Sequence, residues 1–421
     1  MLGFLLEILG LALCSYVAIL LLADLYLILV HLRRSKAELA REAELASGDR
    51  TRDAEPKVCV KLPIFNEGRS VAPAIDALCR LDWPHDKLEI MVLDDSTDDT
   101  SAIVAERVAH WRAAGLQISA LRRAHREEFK AGALAAAIEQ TDARFFAIFD
   151  VDYRPAPSFL RLTMAALLAD PKAAFVQARL DFRNRDRNLL TRAQAIELDT
   201  FFAYEQAARN WAGVPMTFNG TCGVWRREAI EQAGGWSGRS LVEDQDLSFR
   251  AFAAGWRCRN LVSVSAAGEL PESFGVLAVQ RTRWGAGTAQ AFNDLSWRLL
   301  GHLRWHQALI FALLAQFYAA ISLLLGAIFV VAATTLLVDA TRGLCVLLAF
   351  LAVAVLLVVL KTTGAALATT VQGRRIGIGF LCDIVGMWVM ELALLPVVGL
   401  ALVKGYLKQR LVFDRTPKTG R

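Results

Sequence analysis

Cysteine is scarce and scattered in this chain. The 421 residues contain seven cysteines, with no C-x-x-C pair and no metal-ligand spacing among them. An odd, dispersed set of thiols argues against a disulfide framework and favours a reducing compartment around residues 50–290. We therefore interpret the cysteines as small buried hydrophobic residues.

Two nucleotide-binding motifs are also missing. No G-x-G-x-x-G follows an apolar run typical of a strand, and no G-x-x-x-x-G-K-[ST] occurs. Their absence disfavours a dinucleotide dehydrogenase and a P-loop NTPase. The net charge is only +5, so a nucleic-acid partner has no electrostatic support and none is expected.

Apolar residues, in contrast, are abundant, make up 55% of the chain and concentrate at its two ends. Residues 1–31 are predicted to form a transmembrane helix rather than a signal peptide, because the run is long and lacks a basic start. Basic residues follow it, at Arg33, Arg34 and Lys36. Such a flank predicts that the N-terminus lies outside and the next domain in the cytoplasm.

The C-terminal apolar region is predicted to contain several membrane elements. The basic tail, residues 408–421, is expected in the cytoplasm, so one apolar segment either fails to cross or crosses twice. The best candidate is 376–407, which Asp383, Glu391 and Pro396 interrupt and which we expect to lie along the interface or to re-enter. A helical hairpin there would also satisfy the parity. N-terminal to this segment, we predict an amphipathic interfacial helix at 293–305 and two transmembrane helices within 306–371.

Between these ends, residues 32–57 are predicted to be a cytoplasmic connector, and residues 58–292 an α/β domain. Short apolar runs alternate there with stretches of helical spacing, which is typical of a mainly parallel sheet. The predicted strands are Val58–Phe65, Glu89–Leu93, Gln117–Leu121, Phe145–Phe149 and Ala173–Phe182.

Acidic residues follow the first two predicted strands. Glu67 comes just after the first, and Asp94 and Asp95 end the second. In open parallel sheets ligands bind outside the carboxyl ends of the strands, where carboxylates accept hydrogen bonds from ribose hydroxyls and a base N–H. Ordinary turn chemistry is the alternative, because Asp and Asn favour strand ends.

A second pair of carboxylates, Asp150 and Asp152, follows the run Phe145–Phe149. Mg²⁺ or Mn²⁺ uses one or two carboxylates together with substrate phosphates, so this pair is a candidate metal site. Lys130 stands beside Gly132 at the start of an Ala-rich helix, which suits diphosphate oxygens, although it is equally typical of a solvated helix start.

Glu243 and Asp244 precede a further predicted helix, and Asp244 is the candidate general base. An acidic first turn of a helix is the structural alternative, and both interpretations are compatible. About forty residues later come Gln280, Arg283 and Trp284. Arg283 suits a departing phosphate and Trp284 the apolar face of a sugar, while an Arg-Trp membrane-interface anchor is the alternative.

Together these motifs resemble the family 2 inverting glycosyltransferases of the cellulose synthase superfamily, and within it the mannan synthase-like branch. The resemblance covers about residues 56–295. Its motifs are Leu62–Glu67, Val92–Asp98, Lys130–Leu134, Phe149–Asp152, Val176–Arg179, Phe218–Thr221, Val242–Asp244 and Gln280–Trp284.

The resemblance implies a cytoplasmic GT-A domain, inserted between the N-terminal helix and the C-terminal helices, that binds a nucleotide-sugar. Asp94 and Asp95 would contact the nucleoside, Asp150 and Asp152 a metal diphosphate, and Asp244 would be the base. Gln280, Arg283 and Trp284 would line the acceptor and diphosphate end. The acceptor terminus would lie near Phe218, Asn219, Gly220 and Thr221. A gating segment would contain Phe413, Thr416 and Lys418.

The expected function is therefore membrane-bound extension of a β-mannan or glucomannan from GDP-mannose or UDP-glucose with Mg²⁺ or Mn²⁺. Transfer of one or a few sugars to a lipid is one alternative. A non-catalytic carbohydrate-binding scaffold is another, which the complete set of acidic motifs disfavours.

Overall fold

The structure, a computed structural model, describes residues 1–47, 55–301, 303–314 and 317–407. Within these residues an eight-stranded sheet has the strand order β3-β2-β1-β4-β7-β6-β8-β5. The strands are β1 Val58–Ile64, β2 Leu88–Asp94, β3 Gln117–Leu121, β4 Phe145–Ile148, β5 Arg154–Pro155, β6 Ala173–Phe182, β7 Gly223–Arg226 and β8 Arg257–Gly268.

The first four strands in that order are parallel neighbours, so their carboxyl ends share one edge. Ile64 of β1 pairs with Asp94 of β2, and Lys61 pairs with Ile148 of β4. Strand β7 runs antiparallel to β4 and β6, and β5 runs antiparallel to β8. The predicted α/β fold is confirmed, but the sheet is mixed rather than mainly parallel.

All five predicted strands are present, whereas β5, β7 and β8 were not expected. Strand β7 has only four residues and β5 has two, too few for a periodic signal. Strand β8 is longer, but its buried positions include the polar residue Asn260, which interrupts the apolar pattern. Short or charged strands depend on neighbours that are remote in sequence, so the local pattern did not reveal them.

Helices cover both faces of the sheet. They are α2 Val71–Cys79, α3 Thr100–Ala113, α4 Phe129–Ile138, α5 Phe159–Ala169, α6 Leu189–Asp199, α7 Ala207–Ala212, α8 Arg227–Gln232 and α9 Glu243–Ala253. A π-helical segment, Thr200–Gln206, joins α6 to α7. Alternate residues of β1 enter two separate cores: Val58 and Val60 belong to one, and Cys59 to the other.

The N-terminal helix α1, Leu2–Ser47, is longer than the predicted transmembrane segment. The predicted connector at 32–57 is helical as far as Ser47. Its Glu42 accepts hydrogen bonds from the backbone N–H groups of Val262 and Ser263, at 3.2 and 2.8 Å. These contacts tie the end of α1 to β8, so the connector is held against the α/β domain.

The C-terminal helices are α10 Phe274–Leu300, α11 Trp305–Leu314, α12 Phe317–Val338, α13 Ala340–Val371 and α14 Ile378–Tyr406. Two predicted boundaries differ from the structure. Helix α10 runs unbroken across the predicted domain boundary at 292/293, so the first part of the predicted amphipathic helix at 293–305 continues it. Segment 306–371 contains most of α11 together with α12 and α13, of which α13 is long and apolar enough to cross a membrane, and the two transmembrane helices expected there stay a prediction. Periodicity alone does not mark a short break between apolar helices.

Three described helices are long and apolar enough to cross a membrane: α1, α13 and α14. Helix α14 continues through Pro396 as one element, with no re-entrant loop or hairpin. Its charges are paired: Glu391 with Lys361 at 3.0 Å, and Asp383 with Arg192 at 3.0 Å. The helix packs against α10 and α6. That contact is compatible with a helix along the interface, which stays a prediction.

Candidate active site

The carboxyl ends of β1, β2 and β4 open into a cavity of about 510 Å³. This volume is within the usual range for small-molecule sites. Most of the residues predicted for the site line it: Glu67, Asp95, Lys130, Asp150, Asp152, Asn219, Gly220, Thr221, Glu243, Asp244, Gln280, Arg283 and Trp284. The parallel register explains the convergence, because it brings strand ends distant in sequence to one edge.

The two neighbouring acids after β2 occupy different environments. Asp94 is 1% exposed, accepts the N–H of Ser96 at 2.9 Å and pairs with Arg122 at 3.2 Å. Asp95 lines the cavity and holds Arg123 in a two-pronged pair at 3.0 and 2.5 Å. Asp94 therefore shapes the loop, and Asp95 is the better placed of the two for a nucleoside.

Lys130 lies at the centre of the acidic side chains. Its Nζ donates to Asp150 at 2.7 Å and to the carbonyl of Gly220 at 2.8 Å, and Glu243 is 3.8 Å away. Burial alone would lower the pKa of Lys130, but the charges of Asp150 and Glu243 outweigh it and raise the pKa. Lys130 is therefore a firmly charged cation that links the metal-site candidate to the base candidate.

Asp244 is in the first turn of α9, and its Oδ1 accepts the backbone N–H of Gln245 at 2.8 Å. Burial, with the neighbouring charge of Glu243, raises the pKa of Asp244 to about 7, although Lys130 acts in the opposite direction. A carboxylate with a pKa near the working pH is well matched to accepting a proton from a hydroxyl.

The segment 217–222 lies beside Asp244 and Lys130, and Thr221 in it accepts the backbone N–H of Asp150. Gly220 has a φ of +74°, and a Cβ there would lie 3.0 Å from Asp244 Oδ2 and 3.2 Å from Lys130 Nζ. Glycine is required by both the backbone angle and the space. Phe218 does not line the cavity: it is fully buried and packs edge-on against Phe175 and Trp225. Its side chain is therefore part of the core, although it was predicted to lie near the acceptor terminus.

Gln177 on β6 is a residue whose role the sequence did not indicate. It is fully buried, its Nε2 donates to the carbonyls of Ala178 and Thr221, and its Oε1 accepts the N–H of Asn219. The signal in the sequence was an amide side chain within an apolar predicted strand. An amide that becomes buried there is expected to be hydrogen-bonded. Gln177 holds the 217–222 segment in place.

Helix α10 contributes Gln280, Arg283 and Trp284 to the cavity wall. Arg281, between them, pairs with Glu197 of α6 at 2.8 and 2.5 Å and lies over the ring of Trp284 at 4.7 Å. The ion pair and the ring contact fix the indole on one side. The role of Arg281 was not predicted, since a partner on α6 is visible only in three dimensions.

Two carboxylates of the cavity, Asp150 and Asp152, suit a divalent cation. The described residues contain no cluster of three or more His, Cys, Asp or Glu able to enclose a metal. Asp150 and Asp152 are oxygen donors of the kind that Mg²⁺ and Mn²⁺ prefer, with substrate phosphates completing the shell. These residues fit a metal that arrives with a diphosphate. The predicted gating residues Phe413, Thr416 and Lys418 lie outside the described residues.

A family model, described as glycosyl transferase family group 2, matches residues 145–360, just over half of the chain. The fold and the acidic edge of the sheet agree with that match. The chain belongs to glycosyl transferase family group 2.

Curated relatives narrow the similarity to one branch. Glucomannan 4-beta-mannosyltransferase 9 of Arabidopsis thaliana is 39% identical over 59% of this chain and 47% of its own length. Glucomannan 4-beta-mannosyltransferase 1 of Oryza sativa subsp. japonica is 39% identical over 58% of this chain and 47% of its own length. The chain thus spans about half the length of the curated relatives it matches. The predicted resemblance to the mannan synthase-like branch is confirmed.

A solved structure supports the fold. It is a mannosyltransferase, PcManGT from Pyrobaculum calidifontis, in complex with GDP-Man and Mn²⁺, and it matches with a TM-score of 0.62. The match covers 93% of this chain and all of that one at 21% identity. This similarity confirms the predicted GT-A type of fold.

Proposed function

We propose that the chain is a membrane-bound inverting hexosyltransferase that uses GDP-mannose to extend a β-linked mannan or glucomannan. The observation that carries the proposal is the position of Asp244, a half-buried carboxylate with a pKa near 7 that lies against Gly220, close to the Lys130 that binds Asp150. The curated relatives named as mannosyltransferases support mannose as the sugar, and the neighbour solved with GDP-Man supports GDP as the nucleotide.

Each group of the cavity then has a chemical task. Asp244 accepts the proton of the acceptor hydroxyl as that hydroxyl attacks the anomeric carbon of the donor. The attack comes from the face opposite to the departing nucleoside diphosphate. Asp150 and Asp152 would hold a divalent cation that neutralises charge on the departing diphosphate. Lys130 and Arg283 add fixed positive charge around the same oxygens. Asp95 and Glu67 accept hydrogen bonds from the nucleoside, and Trp284 contacts a sugar face.

The proposal includes an orientation. Basic residues after the first span support a cytoplasmic position for the α/β domain, where nucleotide-sugars are available. It also includes the gating segment around Phe413, Thr416 and Lys418. Truncation after Val412 is expected to weaken donor binding, and a donor Kd equal to that of the full chain would refute the gate.

The decisive experiment measures nucleotide release by the purified protein in lipid nanodiscs with Mg²⁺ or Mn²⁺, supplied separately with GDP-mannose and UDP-glucose. Release of GDP together with a polymeric β-mannosyl product supports the proposal. Release of UDP alone would redirect it to a glucosyltransferase. A product that stays in the lipid phase and carries one or a few sugars would favour a lipid acceptor.

The base is tested by Asp244→Asn, which preserves shape but cannot accept a proton. The expected loss of transfer is about a thousandfold, with donor affinity retained. Asp246→Asn is the matched control, since Asp246 is on the same turn but pairs with Arg250 at 2.7 Å. Equal rates for Asp244→Asn and the unaltered protein would remove Asp244 as the base.

A further inference from the structure

The three residues before Lys130 form a strained turn, which we call the 127–129 turn. Glu128 has a φ of +54° and Phe129 a φ of +48°, and neither residue is a glycine. Two consecutive residues in the left-handed region are costly, and such a backbone persists only where the surrounding structure holds it. Strain of this kind is found at functional sites, and this turn leads directly into α4, whose second residue is Lys130.

Arg123 holds the 127–129 turn from one side. Its Nη1 donates to the carbonyl of Glu127 and its Nη2 to the carbonyl of Phe129, both at 2.9 Å. The same guanidinium forms the two-pronged pair with Asp95 at the carboxyl end of β2. One side chain therefore connects the acid that is proposed to bind the nucleoside with the turn that presents Lys130.

Gly132 makes room for this guanidinium. A Cβ at Gly132 would lie 2.5 Å from Nη1 of Arg123 and would overlap the carbonyl oxygen of Glu127. A larger residue would push Arg123 away from the first turn of α4. The glycine two residues after Lys130 is therefore required by the close approach of Arg123.

Glu128 holds the turn from the other side. Its Oε2 accepts the backbone N–H of Gly238, in the segment before α9, at 3.1 Å. The two residues approach closely, because a Cβ at Gly238 would lie 2.7 Å from the Cβ of Glu128. The strained turn is thus held by contacts with two segments that are remote from it in the chain.

We infer that Arg123 is a positioning residue that couples the nucleoside end of the donor site to its diphosphate end. It orients Asp95 directly, and it sets the position of Lys130 by holding the 127–129 turn in its left-handed form. The inference rests on the proposed function and deepens it, because it makes recognition of the two ends of a nucleoside diphosphate depend on one side chain.

The test is a double-variant cycle on the equilibrium binding of GDP with Mn²⁺ to the full chain in nanodiscs. Lys130→Met removes a cation from the diphosphate and is expected to weaken GDP binding about tenfold. In an Arg123→Gln background Lys130 is no longer held in place, so Lys130→Met should weaken binding further by at most about twofold. Two residues that act independently would instead have additive effects on the binding free energy.

Arg122→Gln is the matched control. Arg122 is the neighbouring residue and pairs with the neighbouring acid, but its hydrogen bonds within the described residues go to Asp94 and Ser96. In this background Lys130→Met should keep its full effect of about tenfold. Arg123→Lys serves if Arg123→Gln does not fold. A lysine keeps a charge beside Asp95 but lacks the fork that reaches both carbonyls, so the same loss of coupling is expected.

Two results would overturn the inference. One is additivity of Lys130→Met with Arg123→Gln, or with Arg123→Lys, in the affinity for GDP. The other is an equal loss of the Lys130→Met effect in the Arg122→Gln background, because the coupling would then belong to the whole loop after β3 and not to Arg123.

Failure of the inference is distinguishable from failure of the proposed function. Coupled binding of GDP, without transfer of mannose from GDP-mannose to any acceptor, would support the role of Arg123 and contradict the proposed transfer. Additive effects together with release of GDP from GDP-mannose would support the transfer and contradict the role of Arg123. No binding of GDP to the unaltered protein would contradict both.

Discussion

The two halves of the cavity manage charge in opposite ways. In the donor-side half, Asp95, Asp150, Asp152, Glu243 and Asp244 converge on a wall whose central cation is Lys130. A second part of the cavity, here called the membrane-side half, is lined by two ion pairs. Arg281 pairs with Glu197, and Lys361 of α13 pairs with Glu391 of α14. The donor-side half is suited to added positive charge from a metal, whereas the membrane-side half is already balanced.

That difference has a physical origin. Carboxylates close together repel one another, which makes the cluster dependent on cations. Paired charges on apolar helices are instead stable only while both partners remain. The comparison implies that substitutions in the donor-side half will change chemistry, and that substitutions in the membrane-side half will change stability.

The largest effect is expected from the donor-side carboxylates. Asp150→Asn or Asp152→Asn should lower GDP release about a hundredfold, because the lost ligand weakens a metal that stabilises the departing diphosphate by several kcal/mol. Chelation with EDTA should abolish release by the unaltered protein, and Mn²⁺ should restore it. Metal-independent release at the same rate would contradict the assignment.

The membrane-side half is tested by breaking one of its pairs. Glu391→Gln leaves Lys361 without its carboxylate, which should lower the free energy of unfolding by about 3 kcal/mol. The double variant Lys361→Met with Glu391→Met should recover most of that loss, because no charge is left unpaired. Thermal unfolding in detergent measures both. A double variant as unstable as the single one would show that the loss of stability does not come from an unpaired Lys361 charge.

The pH profile sharpens the comparison. Because the pKa of Asp244 is about 7, its proton-accepting form grows as pH rises through 7. The ratio kcat/KM should therefore rise about tenfold per pH unit below 7 and level off above 8. Since Lys130 lowers the pKa of Asp244, Lys130→Met should move the rising part of the pH profile to higher pH. If the profile of Lys130→Met rises at the same pH as that of the unaltered protein, a group other than Asp244 controls the rate.

The smallest effect concerns Lys61, which lies under the donor-side half. Its ammonium is 1% exposed, stands 3.9 Å from the Phe146 ring, and burial lowers its pKa to about 7. The unfolded chain binds more protons between pH 7 and 10.5, so this group makes stability rise with pH in that window. Lys61→Met should raise the unfolding free energy at pH 7 and remove that pH dependence. The more exposed Lys57→Met is the control, and an equal gain there would contradict this account.

Much of the donor-side half was predictable, because strand-end residues are encoded locally. An apolar run followed by Asp or Glu marks both the strand and its ligand-binding end, as at Asp95 and Asp150. Phe218, predicted to bind the acceptor, has its side chain buried against Phe175 and Trp225, because a motif names residues without saying which way a side chain points. The role of Gln177 was missed because two of its partners, Asn219 and Thr221, lie more than forty residues away.

The sequence by itself determined the α/β class, the family, the apolar ends and the acidic side chains, because each depends on short-range pattern or motif. Only the tertiary structure decided which carboxylates share a cavity, that Lys130 joins Asp150 to Glu243, and that Lys361 meets Glu391 across two helices. Those relations are distances between segments remote in the chain. They arise when β register and helix packing bring the segments together, and they set the local charge on which the proposed chemistry depends.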